Sequence, residues 1–160
     1  MWFMISCSLY ALEAPTISLV TLGPDDPVYV WFGHSSFMVD DPSFSSPVVY
    51  DYGVFDFNQD RFFLNFAQGR LIYSKTASSA NHQVYAARMQ QRDMRILPLN
   101  LPADTSRELA AFLEAEVQPE RNTYLYHHYE DNCSTRLRDM IDDALDGEFE
   151  PATVEAPSLG

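Results

Sequence analysis

The stretch Tyr124-Leu125-Tyr126-His127-His128-Tyr129-Glu130-Asp131-Asn132-Cys133-Ser134-Thr135-Arg136-Leu137-Arg138-Asp139-Met140-Ile141 changes its period part-way along, and that change decides the fold. Up to about Tyr129 the run is aromatic and alternating, the pattern of a strand. Glu130-Asp131-Asn132 makes a short polar turn. From Cys133 onward Leu137, Met140, Ile141, Ala144 and Leu145 recur at three- and four-residue steps, which predicts a helix with one apolar face. Cys133 therefore stands in the first turn of that helix, next to unsatisfied backbone N–H groups and the positive end of the dipole. Such a place favours thiolate over thiol and suits a nucleophilic cysteine.

A thiol nucleophile needs a base, and the chain has four histidines. His127 and His128 lie on the strand leading into the cysteine and read as strand residues, one facing in and one out. His82 falls in a polar segment that looks helical. His34 stands apart in the apolar run Val28-Tyr-Val-Trp-Phe-Gly-His-Ser-Ser-Phe-Met-Val39, read as a largely buried strand, where an imidazole must find a partner. Gly33 before it leaves room for a close approach of backbone or substrate. His34 is the candidate base.

A chain of 160 residues with 46% hydrophobic and 14% aromatic content is a globular domain with a real core. Its formal charge of −13 argues against nucleic-acid binding, which needs a basic patch. The same charge opposes electrostatic docking on anionic lipid. Two cysteines, Cys7 near the start and Cys133 at a helix start, are not expected to pair. Residues 1–15 read as the apolar core of a secretion signal without its basic start, or as an apolar segment of the fold. No stretch reaches the ~20 apolar residues of a membrane span.

The remaining elements follow in order. Ile17–Leu22 reads as a strand, ended by the turn cluster Gly23-Pro-Asp-Asp-Pro27. Val28–Asp40 and Val48–Tyr52 form a hairpin with a long connection, and Gly53 breaks the second run. Gln59–Gln68 carries Phe62, Phe63 and Phe66 at helical spacing, as core or as the lining of an acyl channel. Leu71–Lys75 is a short strand, Ser78–Gln91 a polar helix, and Met94–Leu99 a strand placed at an edge or ended by Pro98. A helix capped by Asp104 or Thr105, with Glu108 completing a capping box, presents Leu109, Phe112, Leu113 and Val117 on one face. Residues 147–160 are acidic and contain proline, as a linker or frayed tail does. Mixed strands and helices with an antiparallel hairpin define an α+β domain over residues 16–146.

Several segments occur in an order that resembles a known family. They are Thr21-Leu-Gly-Pro24, Trp31-Phe-Gly-His-Ser35, Val49-Tyr-Asp-Tyr-Gly-Val-Phe-Asp-Phe57, Phe63-Leu-Asn-Phe-Ala-Gln-Gly69 and Asp131-Asn-Cys-Ser-Thr-Arg136. Together, over about Thr16 to Asp143, they resemble the Lnb N-terminal periplasmic domain family. That family is similar to the circularly permuted branch of papain-like (NlpC-like) thiol enzymes, which includes lecithin:retinol acyltransferase-type proteins. The resemblance implies a small antiparallel sheet packed on the cysteine helix, with the histidine strand first in the chain. It implies transfer of a fatty acyl chain from a phospholipid donor to the amino terminus of bacterial lipoproteins. The implied place is the periplasmic, inner-membrane face of a Gram-negative bacterium, with membrane contact through flanks outside this chain.

The chemistry expected of these residues is specific. Cys133 attacks an ester or amide carbonyl with His34 as general base, forming a thioester. The Cys133 N–H and the Asn132 amide are expected to support the oxyanion. A third group must hold the imidazole tautomer, and Asp51, on the adjacent hairpin strand, is the expected one. Asp40 and Tyr52 are rivals, because a one-residue register slip exchanges strand faces. Arg136 and Arg138 read as surface partners of Asp139 or Asp142, or as contacts to an anionic headgroup. No cofactor is expected. A zinc site of His34, His127 or His128 with Cys133 lacks close ligand pairs. Two other functions use the same sequence: a cysteine peptidase or cell-wall amidase with water as acceptor, and a non-catalytic periplasmic binding domain.

Overall fold

Successive residues of a strand point to opposite faces of its sheet, and the central strands here bury residues on both faces. The computed structural model describes residues 13–26, 31–54, 64–65, 68, 70–127 and 129–149. Among them, strands β1 (Thr16–Leu22), β2 (His34–Asp40), β3 (Val48–Val54), β4 (Leu71–Ser79), β5 (Met94–Pro98) and β6 (Thr123–Tyr126) form one six-stranded sheet in the order β5-β1-β2-β3-β4-β6. Every neighbouring pair is antiparallel. Three helices accompany it, α1 (Ala80–Met89), α2 (Ala103–Glu116) and α3 (Cys133–Ala144). The expected α+β class with an antiparallel sheet is thus observed.

Ile17, Phe37, Val39, Tyr50 and Tyr52 project from one sheet face and pack against Leu109 and Leu113 of α2 and Leu137 and Ile141 of α3. Each such side chain contributes roughly 1.5–3 kcal/mol when fully buried, so this layer fixes α3 against the sheet. Tyr52, offered as a rival partner for His34, is committed to this core. Asp51, next in sequence, projects to the other face, where α1 reaches it.

Four expectations are corrected by the fold. The histidine strand begins at His34 and not at Val28: Trp31 and Phe32 form a turn, and Gly33 takes φ +75°. Residues 27–30 lie outside the described residues. The helix expected to be capped by Asp104 or Thr105 starts earlier, behind Pro102, with no side-chain cap; Asp104 accepts from Arg107 at 2.8 Å instead. Phe112 is 42% exposed and lies outside the core cluster, because the core face of α2 is set by Leu109 and Leu113. The strand before the cysteine stops at Tyr126, since the paired backbone bonds between His127 and Asp131 close a tight turn. Of the helix expected at Gln59–Gln68, Leu64 and Asn65 are helical and Gln68 N–H donates to the Leu64 carbonyl at 3.1 Å; its other residues, the 1–12 segment, Cys7 and the tail after Phe149 lie outside the described residues. Met94–Pro98 does occupy a sheet edge.

Gly33 is the hinge between turn and strand. A Cβ there would sit 2.5 Å from the Leu22 carbonyl oxygen, and the backbone is left-handed. Gly33→Ala is expected to cost at least the ~1–2 kcal/mol of a left-handed non-glycine residue. Thermal denaturation should show Tm lowered by roughly 2–8 °C. An unchanged Tm would mean that this turn relaxes freely and does not hold His34 in place.

Candidate active site

Asn132 makes the cysteine helix start where it does. Its side-chain oxygen accepts from the N–H groups of Ser134 (2.9 Å) and Thr135 (3.0 Å), while the Thr135 hydroxyl accepts from Asn132 N–H (2.8 Å). This capping box leaves Cys133 as the first helical residue, whose own N–H has no intrahelical acceptor. Asn132, expected to support an oxyanion, is seen here as the helix cap.

Helix α3 packs on β2 and β3, which brings Cys133 to the beginning of β2, where His34 stands. There the thiol and the His34 ring stand close enough for each to shift the other's titration. His34 Nε2 meets Asp51 Oδ1 at 3.0 Å. A carboxylate only accepts, so Nε2 carries the proton and Nδ1 is the nitrogen left for Cys133. The register explains the Asp51 contact: Ser36 of β2 stands opposite Asp51 of β3, so His34, two residues earlier on the same face, is its diagonal neighbour. Asp40 lies at the far, exposed end of β2.

Asp51 is only 5% exposed, and its second oxygen accepts from Gln83 Nε2 of α1 at 2.6 Å. Gln83 also donates to Ser78 Oγ at 3.2 Å. The carboxylate thus sits between two N–H donors, one from the imidazole and one from an amide that cannot titrate. Nothing in the sequence singles out Gln83, because only the packing of α1 on the sheet brings it to Asp51.

The electrostatics of Cys133 and His34 are reciprocal. Burial pushes the Cys133 thiol up, but hydrogen bonding to His34 and the charge of its ring, the Ser35 backbone and the Ser134 hydroxyl bring it down to about 7. Burial pulls the His34 imidazole down, yet hydrogen bonds to Asp51 and Cys133, and their negative charges, raise it to about 9. Between those values the pair rests as thiolate and imidazolium. Ser35 and Ser134 are contributors that the sequence reading did not single out; Ser134 Oγ lies 3.9 Å from the sulfur.

An aromatic wall stands beside the thiol. Gly53, at φ +98° in a register shift of β3, leaves a space bounded by the Tyr124 hydroxyl, Cys133 Cβ and Tyr73, each within 4 Å of where a Cβ would lie. Tyr73 stacks on Tyr126 with ring centroids 4.1 Å apart. Burial, and then the negative charge of Cys133, push the Tyr126 phenol up to about 12, so it stays protonated as a neutral donor. Arg136 lies over the Tyr124 ring at 4.0 Å and is held by Asp131, with Nη2 donating to Oδ2 at 2.8 Å, in place of the expected Asp139 or Asp142. Arg138 does pair with Asp139.

The other histidines are elsewhere. His82 is exposed on α1, His127 is exposed in the turn after β6, and His128 lies outside the described residues. Among the described residues no three His, Cys, Asp or Glu side chains gather as a metal site requires. No described helix is long and apolar enough to cross a membrane.

The family model described as the Lnb N-terminal periplasmic domain matches residues 8–158. The chain belongs to that family. The match extends beyond the segments that carry the resemblance and covers the strands, the helices and all of Cys133, His34, Asp51 and Asn132. Lnb N-terminal domains are periplasmic domains, and the acidic, aromatic-rich chain described here is one of them. Comparison with curated proteins and with solved structures returned no match.

Proposed function

We propose that this Lnb N-terminal domain is a thiol acyltransferase in which Cys133 is the nucleophile, His34 the general base and acid, and Asp51 the group that orients the imidazole. The reading rests on one observation: a cysteine at the first position of a capped helix, reached by a histidine whose far nitrogen is held by a buried carboxylate. The order of histidine strand before cysteine helix agrees with a circularly permuted papain-like arrangement.

In the first half-reaction the Cys133 thiolate attacks the carbonyl carbon of an ester. A C–S bond forms and the C=O π pair moves onto oxygen, where the first-turn N–H of Cys133 stabilises it. The C–O bond to the leaving alkoxide breaks, and the His34 imidazolium gives that alkoxide its proton. Cys133 is left as a thioester and His34 as neutral imidazole. In the second half-reaction an amine attacks the thioester while His34 takes its proton; the C–S bond breaks, giving an amide and restoring the Cys133 thiolate beside the His34 imidazolium. The donor in this reading is a phospholipid and the acceptor a lipoprotein amino terminus, at the inner-membrane face of the periplasm.

Intact-mass spectrometry tests it. Incubation with a phospholipid is expected to add one acyl mass to the protein, labile to hydroxylamine and absent from Cys133→Ala. Addition of a diacylated lipopeptide with a free amino terminus should discharge it to the amide. Release of free fatty acid regardless of amine would turn the reading to a hydrolase, and failure of any ester to load Cys133 would sink it.

A further inference from the structure

Among the described residues the two most exposed large apolar side chains are Phe32, at 98%, and Tyr129, at 86%. Both stand on turns that feed the site: Phe32 is two residues before His34, and Tyr129 is four before Cys133. Trp31, beside Phe32, is also exposed. Two residues of chain span at most ~7 Å, so the Phe32 backbone is close to the histidine.

Neither turn is loose. The Trp31 indole N–H donates to the Asp26 carbonyl at 2.8 Å, and Gly33 fixes the exit of that turn against Leu22. The other turn is closed by His127 N–H to Asp131 O (2.9 Å), Asp131 N–H to His127 O (3.0 Å) and Glu130 N–H to His127 Nδ1 (3.1 Å). Rings held in water on rigid turns gain free energy only when something apolar receives them.

We propose that Trp31, Phe32 and Tyr129 form an aromatic rim that seats this domain on the surface of a neutral phospholipid bilayer, with Cys133 and His34 facing the lipid esters. The inference rests on the proposed acyl-transfer reading for its purpose, but not for its geometry. Tryptophan and tyrosine suit the headgroup region, with an apolar body and a polar tip, and phenylalanine suits the layer beneath. Separate prongs fit a deformable surface, whereas a second protein would require a contiguous face of ~1,000 Å². Charge chooses the lipid. The chain carries −13, and Asp25, Asp26, Glu130 and Asp131 flank the two turns, so an anionic surface repels the approach that a neutral one permits.

The test uses the full chain with Trp2→Phe, leaving Trp31 as the only indole, and vesicles of phosphatidylcholine alone or with phosphatidylglycerol. Wild type should co-sediment with neutral vesicles and show a blue-shifted Trp31 emission, and it should bind more weakly as phosphatidylglycerol is added at low salt. Phe32→Ser with Tyr129→Ser should lower the partition at least tenfold while the pH profile of Cys133 alkylation stays unchanged. A wild type that remains in the supernatant, or a double variant that binds as tightly, would overturn the rim. So would a dimer in sedimentation velocity that the double variant loses, which would assign the prongs to a second copy. Vesicle binding without loading of Cys133 would leave the rim standing and remove the acyltransferase reading; loading of Cys133 from a soluble ester without vesicle binding would do the reverse.

Discussion

His34→Ala is expected to shift the alkylation profile of Cys133 from a limb near pH 7 to one above pH 8.5. With the thiol held at about 7, half of it is thiolate at neutral pH. Without the imidazole only burial, the helix terminus and two serine contacts remain, and the thiol returns toward its ordinary value of ~8.5 or above. At an ordinary value of ~8.5 the thiolate fraction at pH 7 falls roughly 16-fold. A more basic thiolate is intrinsically more nucleophilic, so the net fall in alkylation rate is smaller, about three- to fourfold. Acyl transfer suffers more, because the leaving alkoxide loses its proton donor as well, a contribution on the order of 10²–10⁴-fold. The sign can be checked at the alkaline end. Above about pH 9 His34 is itself neutral, so alkylation by wild type and variant should converge while acyl transfer by wild type declines. The measurement is iodoacetamide labelling against pH, with Cys133 resolved from Cys7 by peptide mapping. Superimposed profiles would mean that His34 does not activate the thiol.

The elements that position Cys133, His34 and Asp51 are legible where a local pattern meets a local cause. The period change before Cys133 is visible because strand and helix bury different residues, and the Asn132 cap marks the boundary. Asp51 followed from hairpin logic, although its choice over Tyr52 depended on register, which the core packing of Tyr50 and Tyr52 fixes. His34 was found for a partly mistaken reason: it does not lie inside a buried strand but opens one, after a glycine whose left-handed backbone no periodicity reveals. Gln83 and the pairing of Arg136 with Asp131 under Tyr124 were illegible, since they exist only after α1 and α3 dock. The Ser35 backbone contact to the thiol is of the same kind.

Gln83 sharpens the last prediction, for Asp51→Asn. Asp51 accepts two N–H bonds on its two oxygens, at 3.0 Å from His34 and 2.6 Å from Gln83. Asparagine has one accepting oxygen and one donating amide, so it cannot serve both. If its oxygen faces His34, the imidazole keeps its tautomer and two amide groups oppose each other across a buried gap, which costs about 1–3 kcal/mol. If its oxygen faces Gln83, the asparagine NH₂ points at His34 Nε2, which must then accept, and the ring proton moves to Nδ1, against Cys133. That tautomer cannot take a proton from the thiol. The second bond of Gln83, to Ser78, holds its amide in place and favours the second arrangement. Asp51→Asn should therefore slow acylation on the order of 10²-fold or more. The choice between arrangements is open to a second substitution. Gln83→Met removes the competing donor, so Asp51→Asn with Gln83→Met should let the asparagine oxygen turn back to His34 and recover part of the lost rate, although neither change restores a charge. Gln83→Met alone should cost only a few-fold, because Asp51 remains bonded to the histidine. A double variant slower than Asp51→Asn would show that Gln83 supports the site by packing and not through the hydrogen bond. A full rate in Asp51→Asn would remove the carboxylate from the mechanism and leave Cys133 and His34 acting as a pair.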